Sequence, residues 1–95
     1  MNRFFSESLV LTLSKEVDDL TSYQSIAIER IMKSISPILQ RRLRHDLETI
    51  HGRLVEIYQS FDVQNLEKLT ISARLLYEQS KRATQRSSSL RLTCS

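Results

Sequence analysis

"RRLRHDLETIHGRLVEIYQSF", residues 41–61, is the stretch whose reading decides the fold. Leu43, Leu47, Ile50, Leu54, Ile57 and Phe61 recur there at spacings of 4, 3, 4, 3 and 4. That is the 3.5-residue period of a coiled-coil seam, whose a and d positions stay turned toward a neighbouring helix. The other positions are mostly Arg, His, Glu and Gln, so the apolar stripe is narrow and suits one or two partner helices.

The same stretch holds both histidines and the only glycine. With Leu43 at d and Leu47 at a, His45 falls at f, facing outward, and His51 falls at e, beside the seam. Six residues apart on a helix, the two diverge by roughly 120°, too far to share one metal ion. Arg44, His45 and Asp46 supply the residue types of a phosphoacceptor helix, but adjacent helical residues do not face one another. The outward charged face of a coiled coil is the reading that fits. Gly52, also at f, is either a tolerated weak spot or a place where a neighbour's backbone comes close. At an exposed helix position it costs about 1 kcal/mol relative to Ala.

Upstream, Val10, Leu13, Val17 and Leu20 fall at a/d spacing, with Ala27 and Ile31 in phase and Gln24 and Ser34 diluting the stripe. A second stripe, Ile28, Ile31, Ile35 and Ile38, begins as the first fades. A first helix is predicted over about residues 4–36, with Ser6 as its N-cap and Glu29–Lys33 as a favourable i,i+4 pair. Pro37 removes a donor and clashes with the preceding turn, so either the helix bends or Ser36 caps a new one with Pro37 in first position. The new helix, residues 37–60, is preferred. Downstream, Leu66, Leu69, Ala73 and Leu76 restart the seam in a third helix over about 63–86, with Asp62 as its N-cap and Glu78–Arg82 as another i,i+4 pair. Residues 87–95 read as a flexible, basic, Ser-rich tail.

Composition agrees with an all-α chain of two or three long amphipathic helices, arranged as a coiled coil, a helical hairpin or a bundle. Ninety-five residues with one Gly, one Pro and no Trp leave little material for turns and hairpins. Without a second glycine there is no phosphate-binding loop, and the serines and acids lack the strand-turn-helix frame of a nucleophile site. The expectation is therefore a non-enzymatic protein with no cofactor and no metal. Cys94 is the single cysteine, so no intrachain disulfide forms, and a reducing compartment is favoured. The most apolar run, "SLVLTL", is six residues against the roughly 20 that a membrane span needs. "MNRFFSES" has no apolar core of signal-peptide length, which gives the expectation of a soluble, cytoplasmic protein.

The net charge of +3 is concentrated in residues 63–95, which carry six basic and two acidic side chains. A basic tail can touch anionic lipid, which leaves peripheral membrane contact open, although a solvated terminus is the commoner outcome. Nucleic acid is not favoured as a partner, because Asp46 and Glu48 follow Arg42 and Arg44 at pairing distance and break the basic run.

Two stretches resemble a known family. "FSESLVLTLSKEVDDLTS", residues 5–22, has an aromatic residue followed by Glu7, then Leu9, Leu13, Val17, Leu20 and Ser22. "FDVQNLEKLTISARLL", residues 61–76, follows an Asp-containing break and carries the pair Ala73-Arg74. Both resemble the snapin family of small coiled-coil subunits, shared by the complex for biogenesis of lysosome-related organelles and its lysosome-positioning relative, BORC. The likeness covers about half the chain. The middle segment departs from it, and "LRHDLETIHGRL" is closer to the Lys-x-Asp-Leu signature of another subunit of those complexes, with Arg44 in place of Lys. The resemblance implies a structural role in a scaffold on the cytosolic face of endosomes or lysosomes, serving cargo sorting or organelle positioning.

The expected working surface is the seam: Leu9, Leu13, Val17 and Leu20; Leu43, Leu47, Ile50, Leu54, Ile57 and Phe61; Leu66, Leu69, Ala73 and Leu76. Its expected partners are other coiled-coil subunits, with a hetero-oligomer favoured over a homo-oligomer. A small helical chaperone or regulator covering a partner's helix, as in bacterial secretion, is the alternative, ahead of a DNA-binding accessory or a phosphorelay protein.

Overall fold

The computed structural model describes residues 6–61 and 69–94, with side chains through Ser89. Among the described residues there are three α-helices: α1 (Glu7–Lys33), α2 (Pro37–Gln59) and α3 (Ile71–Cys94).

Local chemistry explains each boundary. The Ser6 hydroxyl accepts a hydrogen bond from the Leu9 amide at 3.1 Å and starts α1. Glu7 lies in the first turn of α1 and Arg30 and Lys33 in its last, each matching the sign of the helix dipole. Ser36 caps α2 by accepting from the Leu39 amide at 3.4 Å, and Pro37 follows where its missing N–H costs nothing. Between them, the Gln40 side chain donates to the Ser34 carbonyl at 2.7 Å and ties the turn together. Pro37 thus opens a new helix rather than bending an old one.

The third helix differs from its expected position. Thr70 caps it, accepting from the Ala73 amide at 3.2 Å, and the helix then runs through Cys94. The expected start at residue 63, the Asp62 cap and Leu66 lie outside the described residues. The segment expected to be a loose tail is helical through Cys94, because the heptad continues through small residues. Ala73, Leu76, Ser80, Ala83 and Ser87 are all buried at spacings of 3, 4, 3 and 4.

The helices pack up, down and up. Side-chain contacts join Glu16 to Arg53 and Tyr23 to Asp46, so α1 and α2 run antiparallel. Gln24 and Ser25 meet residues 83–87, so α3 returns alongside α1 in the same direction. The result is a three-helix bundle measuring 47 × 23 × 19 Å. The same helices laid end to end would reach about 110 Å. Val10, Leu13 and Val17 of α1 meet Ile50, Leu54, Ile57 and Phe61 of the second segment, and Ala73, Leu76, Tyr77 and Ala83 of α3, in one core.

Candidate partner-docking surface

The seam faces inward. Leu13, Val17, Leu43, Ile50, Leu54, Ile57, Phe61, Ala73 and Leu76 are buried within the chain, and Leu20, Leu47 and Leu69 are half-buried. The surface expected to receive a partner helix is therefore occupied by this chain's own helices. Leu9 is a correction of another kind: it is 42% exposed, because Val10 takes the a position and leaves Leu9 one residue, or about 100°, off the seam.

Polar contacts beside the seam fix which helix lies on which side. Arg53 grips Glu16 with two hydrogen bonds, Nε to Oε2 at 2.5 Å and Nη2 to Oε1 at 2.8 Å. The Tyr23 hydroxyl donates to Asp46 Oδ2 at 3.1 Å. All four residues precede an a position, so g meets g, as antiparallel helices require. On the opposite, e side of α2, Tyr58 stacks at 5.4 Å on Tyr77 of α3, and Phe61 meets Tyr77 edge-on at 5.4 Å. His51 is buried, since its e position lies on the flank that α3 covers, whereas His45 faces solvent. Asp46 reaches across to Tyr23 rather than along the helix to Arg42. Glu29 and Lys33 form their expected pair at 3.1 Å.

These contacts shift titrations. Hydrogen bonding to Arg53, helped by its charge, holds the Glu16 carboxyl below its ordinary 4.5 against the opposing effect of burial. The bond to Asp46, and then its negative charge, push the Tyr23 phenol up. Tyr77 is raised chiefly through its hydrogen bond with Tyr58.

Between α1 and α3 the packing is polar. Gln24, fully buried, donates from Nε2 to the Ala83 carbonyl at 3.2 Å and to the Ser87 hydroxyl at 2.5 Å. Arg86 donates to the Ser25 hydroxyl at 3.1 Å. Outside this line of contacts lies an open groove of about 260 Å³, flanked by Asp18 and Thr21 on α1 and by Gln79 and Arg82 on α3. One heptad before Asp18 stands Leu11, and one heptad before Arg82 stands Leu75. Leu11 is 70% exposed, Leu75 is 56% exposed, and Ile71, one turn before Leu75, is 82% exposed. Exposed aliphatics on both helices therefore precede the groove's polar and charged flanks by one heptad. These residues fall outside a and d and so carry no seam signal in the sequence. The available signal was large aliphatics at rim positions that a two-helix seam would not need.

Comparison with protein-family models, with curated proteins and with solved structures finds no match for this chain.

Proposed function

We propose that this protein is a non-enzymatic helical subunit of a multiprotein scaffold, which takes up a partner helix along the groove between α1 and α3. The observation that carries the reading is the exposure of Leu11 and Leu75, one heptad before the groove's flanking residues Asp18 and Arg82. A single exposed leucine is ordinary, but exposed aliphatics at equivalent heptad positions on two neighbouring parallel helices match how a further amphipathic helix packs onto a bundle. Asp18 and Arg82 beyond them offer opposite charges that fix the partner's register. The likeness to snapin-type subunits supports placing such a scaffold on the cytosolic face of endosomes or lysosomes, in cargo sorting or organelle positioning. The seam itself enters this reading only as the internal core that holds the rims in place.

The test is purification of a tagged full chain from the cells that make it. The expected result is a discrete assembly of fixed stoichiometry with a helical partner. That assembly should be lost in the Leu11→Glu/Leu75→Glu variant while the circular dichroism melt stays unchanged. A chain that elutes at its own mass, or a variant that keeps its partner, would overturn the proposal.

A further inference from the structure

The turn joining α1 to α2 is built against the usual rule. Loop tips are normally polar, yet this one presents Ile35 at 97% exposure, Met32 at 81% and Ile38 at 78%, with Leu39 partly exposed beside them. Ser34 and Ser36 both have extended backbones, so Ile35 projects outward between them. The tip is held firmly by the Ser36 cap, the Gln40 bond to the Ser34 carbonyl, and a bond from the Ser36 amide to the Ser34 hydroxyl at 3.2 Å. These aliphatics are presented on a rigid end of the bundle, not on a slack loop.

Charge is sorted around the same end. Residues 30–44 carry five basic side chains and no acid, and all five are exposed. Lys33 pairs with Glu29, whereas Arg41 and Arg42 make no ion pair among the described residues. The fold also brings Arg86 of α3 toward this end, because α3 runs parallel to α1 with residues 83–87 beside Gln24 and Ser25. At the far end, residues 6–20 hold four acids against Lys15. Chain order hides this polarity, since the hairpin and the returning helix create it.

We infer that the α1–α2 tip is a peripheral membrane-contact surface for anionic lipid bilayers, with Met32, Ile35 and Ile38 entering the headgroup–acyl boundary while Arg30, Arg41 and Arg42 meet the headgroups. Two alternatives fit less well. A second copy docked tip to tip would set five exposed cations against five others at close range. A partner helix docks in a groove, whereas Met32, Ile35 and Ile38 stand almost fully exposed at a turn. A bilayer accepts a protruding aliphatic tip ringed by cations, because long basic side chains reach headgroups while their stems lie on apolar surface. No described helix is long and apolar enough to cross a membrane, so the contact is interfacial. This surface is separate from the α1–α3 groove, and either proposal can fail without the other.

The experiment is co-sedimentation of the purified full chain with phosphatidylcholine vesicles, with and without phosphatidylserine, compared with two variants. Each cation near an anionic surface contributes about fivefold in affinity, so with Arg30, Arg41 and Arg42 engaged phosphatidylserine should tighten binding by tenfold or more. Ile35→Ser/Ile38→Ser should weaken binding to the anionic vesicles by about tenfold or more. Arg41→Gln/Arg42→Gln should remove most of the dependence on phosphatidylserine. All four substituted side chains are exposed, so circular dichroism should show both variants folded. Leu11→Glu/Leu75→Glu should sediment like the parent chain. Absence of binding, equal binding to both vesicle types, or binding that survives Ile35→Ser/Ile38→Ser would overturn the inference. Binding of polyglutamate without binding of vesicles would overturn it too, and would point to an acidic protein instead.

Discussion

Gln24 occupies a core a position, and it is satisfied there by two acceptors on α3 rather than by burial alone. A buried amide that loses one partner leaves an unmet polar group, which costs about 1–3 kcal/mol, whereas removing both partners together is close to neutral. Ser87→Ala should therefore destabilise the bundle on its own, and Gln24→Leu/Ser87→Ala should recover much of that loss. A double-mutant cycle in urea reads the coupling directly, and additive losses would show that the two side chains do not act as a pair. Glu16 gives a second residue-scale expectation. Its folded pKa is depressed, so its contribution is fully present above the ordinary 4.5 and fades as pH falls through the lowered folded value. The melting difference between the parent chain and Glu16→Gln should thus be largest near neutrality and shrink as pH drops below 4.5. Both partners are partly exposed, so added salt should shrink the same difference.

At the scale of elements, the middle helix was the most legible because its seam is written in Leu, Ile and Phe, which have no other common use at that period. The first helix was legible in phase. Leu9 lies off the seam, and the sequence alone does not show this since a leucine beside a valine leaves the a position ambiguous by one residue. The third helix was misplaced for a physical reason. Its buried positions after Tyr77 are Ser80, Ala83 and Ser87, small residues that carry no strong hydrophobic signal. Gln24 opposite them looked like dilution of a stripe and is instead the polar half of the same layer. The two readings of Gly52 are now resolved, since a methyl group there would meet nothing within 4 Å. Gly52→Ala should raise stability by about 0.5–1 kcal/mol, read from denaturant midpoints. Ser36→Ala should lower it by about 1 kcal/mol through loss of the α2 cap.

At the scale of the molecule, a 3.5-residue seam says that each helix has neighbours but not whether they belong to the same chain, which is why hairpin, bundle and open coiled coil all stayed open in the sequence. The structure closes the seam on itself, with α1 on the g side of α2 and α3 on the e side. That arrangement changes the meaning of a seam substitution. Leu54, fully buried among residues of all three helices, was expected to matter for assembly, and it now has its effect on folding. Leu54→Ala should cost about 2–5 kcal/mol, a large share of the stability of so small a bundle. The parent chain should melt cooperatively at a temperature independent of concentration over about a hundredfold range, as a unimolecular transition must, whereas a seam shared between chains would melt higher at higher concentration. Leu54→Ala should lower that midpoint without introducing a concentration dependence. A midpoint that climbs with concentration in the parent chain would mean that the seam trades its own helices for a neighbour's. The groove and the tip would then have to be sought on the surface of that assembly rather than on this bundle.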